Sequence, residues 1–238
     1  MDRELVDLFG RVHKDFRISV TDRCNFRCQY CMPEEGLDWL KREELLTFEE
    51  ITRITKILVK NYGINSVRLT GGEPTLRANL PDLISMLSEL PIEIALTTNG
   101  INLSKNAQIF LDAGLDRVNI SIDSLKAERF KEITLRDEME KVITGIEASI
   151  EAGLSPVKIN VVVMRGINDD EIIDFAKFGR ELGVIVRFIE FMPLDADEKW
   201  STLSVVSLEE IFSAINSVYP LEVVERSNAP ASRFRYID

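Results

Sequence analysis

Six times along the chain a short run of alternating apolar and polar residues gives way to a stretch of helical periodicity, and this alternation limits the fold more than any other feature. The strand-like runs lie at 16–20, 66–70, 92–97, 117–122, 157–163 and 184–190. Helices are expected between them. Thr47 with Glu50 three residues on reads as a capping box opening a helix that Gly63 ends, with Ile51, Ile54, Ile57 and Leu58 on its apolar face. Further helices are expected at 80–90, 104–113 and 138–152, and from a cap at Asp169 or Asp170 to Leu182. Strands alternating with helices imply right-handed crossovers and a parallel sheet.

Side chains in a strand alternate faces with period two. On that count Arg17, Ser19 and Thr21 share a face, as do Arg68 and Thr70, Thr97 and Asn99, Asn119, Ser121 and Asp123, and Lys158 and Asn160, with Arg187 in the last strand's set. Phe16, Ile18 and Val20 take the opposite, apolar face. A doubly wound sheet buries both faces and reads as continuous apolar strands. A polar face repeated through the sheet instead predicts an α/β fold of the incomplete (β/α)6, TIM-like kind, curved around a wet cavity and open on one side. The chemistry of such barrels sits at the carboxyl ends of the strands. There the sequence places a cysteine-rich loop, the 71–74 turn, residues 98–100, Asp123 with Ser124, Arg165 with Gly166, and residues 191–193.

Arg17, Arg68, Lys158 and Arg187 come from four different strands, and parity aims them all at the cavity. Charges held there are costly unless something of opposite sign meets them. A triphosphate would, since the guanidinium fork suits phosphate oxygens and lysine acts as a point charge. The plainer reading is pairing with Asp123 or with glutamates at the strand ends.

All three cysteines of the chain, Cys24, Cys28 and Cys31, fall within eight residues after the first strand. A disulfide would leave one thiol over. A structural zinc site needs four closed ligands, and the only histidine is His13, eleven residues upstream. A cubic iron-sulfur cluster has four irons. Three cysteines would therefore leave one iron open to a small molecule.

With Tyr30 just before the last cysteine, this spacing resembles the signature of radical S-adenosylmethionine (radical SAM) enzymes, and Gly71-Gly-Glu-Pro74 resembles their second motif. The stretches 17–24, 31–33, 69–77, 96–100, 119–123 and 187–192 are together similar to the family of GTP 3',8-cyclases, lyases of molybdenum-cofactor biosynthesis. The resemblance implies a 4Fe-4S cluster on Cys24, Cys28 and Cys31, whose open iron is chelated by S-adenosylmethionine. It implies further that Tyr30, Gly72, Ser121 and Met192 contact that cofactor, and that Arg17, Arg68, Thr97 and Lys158 contact GTP, with Arg187 beside them. The implied reaction converts GTP to (8S)-3',8-cyclo-7,8-dihydroguanosine 5'-triphosphate through a 5'-deoxyadenosyl radical. Hydrogen-atom transfer is a matter of positioning, so no catalytic acid or base is assigned. The implied partners are a low-potential electron donor such as flavodoxin or ferredoxin and a downstream cyclic pyranopterin monophosphate synthase. A homodimer is compatible with it. Ser66 departs from the family, which often has a basic residue there, and weaker phosphate binding is expected from that.

The chain has 238 residues, 45% hydrophobic and 29% charged, enough to bury one substantial core. A net charge of -11 argues against a general nucleic-acid or membrane-surface binder. No apolar run approaches the length of a membrane span, and the acidic start at residues 1–7 is unlike a targeting peptide. A cytoplasmic protein is expected. Residues 1–195 read as the barrel core and 196–238 as the beginning of a C-terminal domain, with a helix at 207–216 and a strand-like run at 232–238. The family carries three further cysteines in its C-terminal third for a second cluster, and no cysteine follows Cys31. The expectation is thus a shortened chain that binds one cluster and S-adenosylmethionine and turns over GTP poorly or not at all. The alternatives are a radical SAM peptide maturase and a non-catalytic zinc- or nucleotide-binding module.

Overall fold

The structure is a computed structural model, and it describes residues 4–33, 38–193, 200–224 and 231–238. Residues 1–3 of the acidic start, 34–37 of the connection after the cysteines and the 195/196 boundary lie outside the described residues. In order come a small hairpin, β1 (Leu5–Val6) and β2 (Val12–His13), then β3 (Asp15–Ser19), α1 (Phe48–Tyr62), β4 (Ser66–Thr70), α2 (Leu80–Ser88), β5 (Glu93–Thr98), α3 (Leu103–Asp112) and β6 (Arg117–Ser121). They are followed by α4 (Ala127–Thr134), α5 (Met139–Ala152), β7 (Val157–Val163), α6 (Ile172–Leu182), β8 (Ile185–Glu190), α7 (Leu208–Val218), β9 (Leu221–Val224) and β10 (Arg233–Tyr236).

Strands β3 to β8 form one six-stranded sheet in sequential order, and every pairing in it is parallel. Sequential order means that the chain winds in one direction and never reverses, as in a barrel and unlike a doubly wound sheet. The apolar parity carries the core. Ile18, Val67, Leu69, Ile94, Leu96, Val118, Ile120, Val157, Ile159 and Val161 are buried in one continuous cluster with the helices behind them. Ile211 and Ile215 of α7 belong to that same cluster.

Helix α1 begins as its sequence specifies: the Thr47 hydroxyl accepts from the amide of Glu50, and the Glu50 carboxylate accepts from the amide of Thr47. Its buried face differs from the expected one. Ile57 is exposed and Thr55 is buried, its hydroxyl donating to the Ile51 carbonyl. At 100° per residue Ile57 stands well off the line through positions 51, 55 and 58.

Neither Asp169 nor Asp170 caps α6. The chain enters that helix through a short 3-10 turn at Asp169–Glu171, and neither element carries a side-chain cap. Asp169 accepts from the Gly166 amide instead, and Asp170 takes Lys126 and Arg129. Three further elements go beyond the sequence reading: the β1–β2 hairpin, α4, and the antiparallel pairing of β10 with β9.

Candidate functional site

The register of the sheet arranges the lumenal side chains in layers. One step above Asp15, Ser66 and Glu93 at the amino ends, Arg17 pairs with Arg68, Arg68 with Ala95, and Ala95 with Arg117. One step on, Thr97 pairs with Asn119, Asn119 with Lys158 and Lys158 with Ile185. Above that, Ser121 pairs with Asn160 and Asn160 with Arg187. Four of the predicted cations therefore do share the inner face, on neighbouring strands. Ala95 and Ile185 interrupt its polarity.

Among the described residues, no carboxylate lies within ion-pair distance of Arg68, Lys158 or Arg187, and the buried Nε of Arg68 has no partner. Burial pulls all three below their ordinary pKa values, and neighbouring positive charge adds to it. Arg117 is a positive neighbour common to all three; Arg17 also acts on Arg68, Arg187 on Lys158, and Arg68 on Arg187. A set of cations that repel one another in a confined space favours an anionic guest. Asp123, weighed as their partner from sequence, bonds elsewhere.

Arg117 is the cation that sequence reasoning missed. It is 7% exposed and grips Glu93 with Nε at 2.7 Å and Nη2 at 3.1 Å. The signal was available, because Arg117 has the same parity as Asn119 and Glu93 the same as Thr97. Ser66 stands beside this pair, its hydroxyl 3.5 Å from Glu93 Oε2. The layer above the departure from the family pattern, one step toward the mouth, thus holds a paired guanidinium.

The cysteine loop leaves the carboxyl end of β3 and is fastened from three sides. The 71–74 turn backs onto its root: the amide of Gly72 donates to Thr21 O at 2.8 Å and that of Glu73 to Arg23 O at 2.7 Å. A Cβ on Gly72 would overlap the carbonyl oxygens of Asp22 and Arg23, and one on Gly71 that of Thr21. The close approach that glycine permits here is thus between two segments of backbone. Glu73 is buried and joins the turn to the end of β5, accepting from Thr98 Oγ1 at 2.7 Å, the Asn99 amide at 2.7 Å and Thr75 Oγ1 at 2.6 Å.

Helix α4 supplies the second fastening. Its carbonyls at Thr134 and Ile133 accept from the amides of Arg27 and Gln29, and that of Glu132 from the Gln29 side chain. The unsatisfied carbonyls that end every helix are here spent on the loop between the cysteines. Arg27 turns back to donate to the carbonyls of Cys24 and Phe26, each at 2.8 Å, and lies over the Trp39 ring.

The third fastening is Tyr30, whose hydroxyl donates to Asp123 Oδ2 at 2.6 Å, while Asp123 Oδ1 accepts from the Val162 amide at 2.8 Å. Burial raises the Asp123 pKa to about 6 against the opposing pull of these two hydrogen bonds. Asn168 completes the knot by donating to the carbonyls of Asp123 and Val162. Tyr30 also packs edge-on against Phe191, in a small apolar cluster with Ile133, Met164 and Trp200.

Cys24 and Cys28 are partly buried and Cys31 is exposed, all three as free thiols. Burial raises each pKa; Asp123 adds to this at Cys28 and Cys31, and neighbouring thiols add to it at Cys24 and Cys28. Thiolates placed this close need a positive centre to deprotonate onto. Among the described residues no three His, Cys, Asp or Glu side chains gather at single-ion spacing. A cube places one thiolate at each of three corners, so this donor set fits a cluster with one iron left without a protein ligand. His13, the only imidazole for a zinc reading, lies against Asp7 in the β1–β2 hairpin. Of the other predicted site residues, Ser121 is partly buried at the end of β6, and Met192 is 52% exposed just after β8.

The radical SAM superfamily pattern matches residues 18–179. The chain is 45% identical over 245 residues to the GTP 3',8-cyclase of Corynebacterium glutamicum strain ATCC 13032, covering 100% of this chain and 65% of that protein. It is 48% identical over 237 residues to the GTP 3',8-cyclase of Listeria monocytogenes serotype 4b, covering 97% of this chain and 71% of that one. The chain thus spans 65% of the length of the first curated relatives it matches. Among solved structures it resembles Streptococcus suis SuiB bound to precursor peptide SuiA, with a TM-score of 0.70 at 18% identity, covering 86% of this chain and 45% of that one. It also resembles a methylornithine synthase, with a TM-score of 0.65 at 18% identity, covering 92% and 63%. These two likenesses concern the fold. No helix among the described residues is long and apolar enough to cross a membrane.

Proposed function

The chain belongs to the radical SAM superfamily, and from that premise we propose that it works as a GTP 3',8-cyclase of molybdenum-cofactor biosynthesis. In this reading Cys24, Cys28 and Cys31 hold one 4Fe-4S cluster, Tyr30, Gly72, Ser121 and Met192 hold S-adenosylmethionine, and GTP lies in the lumen. The observation that carries it is the unpaired cation set of Arg68, Lys158 and Arg187, on the same inner face whose carboxyl end bears the cysteine loop. When bound, the cluster and S-adenosylmethionine supply one-electron cleavage chemistry that side chains lack.

The chain's own residues bind, orient and shield. Arg17, Arg68, Lys158 and Arg187 take the triphosphate, and Thr97 stands level with Lys158, one layer nearer the mouth than Arg17 and Arg68. Tyr30, held by Asp123, fixes the cysteine loop over β6 and β7. The cluster of Phe191, Met164, Ile133 and Trp200 keeps water from that side of the mouth. Ribose hydrogen abstraction then needs only that the nucleotide be held with its sugar toward the loop.

Equilibrium dialysis of the anaerobically reconstituted protein with GTP tests the reading. The wild type should bind GTP and carry about four irons per chain. Arg68→Ala and Lys158→Ala should each weaken GTP at least tenfold, about 1.4 kcal/mol. A wild type with no affinity for GTP would mean a substrate of another class, such as a peptide. One zinc and no iron would mean a module without radical chemistry.

A further inference from the structure

Two acceptors on the inner face lack donors. The Oδ1 atoms of Asn119 and Asn160 are both buried and neither has a hydrogen-bond partner, and Asn119 as a residue is only 1% exposed. The orientation of the Asn119 amide is fixed by its other end: Nδ2 donates to Leu96 O at 3.3 Å and to Thr97 Oγ1 at 3.2 Å. Turning it over would set an oxygen against the Leu96 carbonyl, so Oδ1 is the atom left over. A buried acceptor without a donor carries its full desolvation penalty, and native proteins rarely carry two of them side by side.

Their height in the barrel is informative. Arg17, Arg68 and Arg117 form the lower layer; Thr97, Asn119 and Lys158 the next; Ser121, Asn160 and Arg187 the one below the mouth. The lower layer offers the guanidiniums of Arg17 and Arg68, with Arg117 held by Glu93, whereas the upper two set uncharged acceptors beside Lys158 and Arg187. A guest that satisfies the whole stack is anionic at its lower end and carries hydrogen-bond donors above. A phosphate chain has no donors when ionised; a ribose has two hydroxyls.

We propose that Asn119 and Asn160 accept hydrogen bonds from the ribose hydroxyls of the bound nucleotide, so that the lumen selects ribonucleotides over deoxyribonucleotides. This rests on the reading of the site as a nucleoside triphosphate chamber, and it sets the sugar against Asn119 and Asn160, with Lys158 and Arg187 of the same two layers left to the phosphates. A site built to hydrogen-bond a hydroxyl rejects the analogue that lacks it, because its own polar groups are then left unpaired. Ser121 and Arg187, both able to donate, flank Asn160 in its layer. Satisfaction of Asn160 by either is excluded by the unpartnered state of its Oδ1.

The test measures dissociation constants of GTP, 2'-deoxy-GTP, 3'-deoxy-GTP and inorganic triphosphate for the wild type, Asn119→Ser and Asn160→Ala. Asn119→Ser keeps a hydroxyl donor near Leu96 O, and Asn160→Ala leaves the backbone hydrogen bonds of β7 intact, so at least one variant should fold; thermal melting checks each. The wild type should bind at least one deoxy analogue about tenfold more weakly than GTP, the value of one hydrogen bond of about 1.4 kcal/mol. In each folded variant the ratio for the hydroxyl that the replaced asparagine accepts from should fall to about one, with the affinity for inorganic triphosphate unchanged. Full discrimination retained by a folded variant overturns the proposal and leaves the chamber reading standing. A parallel fall in triphosphate affinity also overturns it, since the asparagines would then merely shape the cation face. A wild type that binds neither GTP nor inorganic triphosphate overturns both.

Discussion

Asp123 shows how a single side chain couples the loop to the barrel and at what energetic cost. Its folded pKa of about 6 lies above the ordinary carboxylate value of 3.8, so the folded state holds this proton more tightly than the unfolded state does. The stability the group contributes is fully present below about pH 3.8 and is lost as pH rises through about 6. A shift of about two units corresponds to up to about 3 kcal/mol at neutral pH. Asp123→Asn removes the titration and keeps an oxygen for the Val162 amide. Thermal melting of the variant relative to wild type should therefore improve between pH 5 and pH 8; a difference independent of pH would refute this account of Asp123. The same residue illustrates what sequence could and could not convey. Parity placed Asp123 at the lumenal end of its strand, but its partner Tyr30 lies 93 positions away, and nothing in the local pattern pairs them. Arg117 was legible by the same parity, whereas its bidentate hold on Glu93 depends on strand register.

At the scale of elements, the 71–74 turn and the cysteine loop behave as one unit, because Gly72 leaves no room between them. Gly72→Ala would drive a methyl group into two backbone carbonyls that cannot rotate away. The expected result is a loss of about 3 kcal/mol or more in stability, or a displaced loop that binds markedly less iron. Both are measured by thermal denaturation and by iron content after reconstitution, and an unchanged variant would contradict the packing described. The six strands were readable because β side chains keep strict period two and their apolar set is nearly unbroken. Helix α4 escaped notice because it is only Ala127–Thr134 and heavily charged; its signal was the spacing of Ala127, Phe130 and Ile133, of which the last two are buried. The cap assigned to Asp169 or Asp170 failed for a related reason. Acidic residues before an apolar run also suit a 3-10 turn, and these two were recruited by Gly166, Lys126 and Arg129.

For the molecule as a whole, an acidic chain with a net charge of -11 concentrates five basic side chains on one inner face. Binding of a polyanion there should be confined to that face and sensitive to ionic strength, since the lumen is only partly shielded from solvent. Raising salt from 0.05 to 0.5 M should weaken inorganic triphosphate several-fold in the wild type and less in Arg68→Ala. An equal salt dependence in both proteins would place the anion elsewhere. The barrel architecture followed from the alternation of elements and from the polar parity together, and the sequential strand order bears it out. The conclusion on which all of this depends is that the cysteine loop and the unpaired cations look into one chamber. An anaerobic crystal structure of the reconstituted protein soaked with GTP measures that directly. The account predicts phosphate oxygens within salt-bridge distance of Arg68 and Lys158 and the ribose between them and the cysteine loop. Nucleotide bound outside the sheet, or Arg68 and Arg187 turned to solvent with the lumen empty, would contradict it.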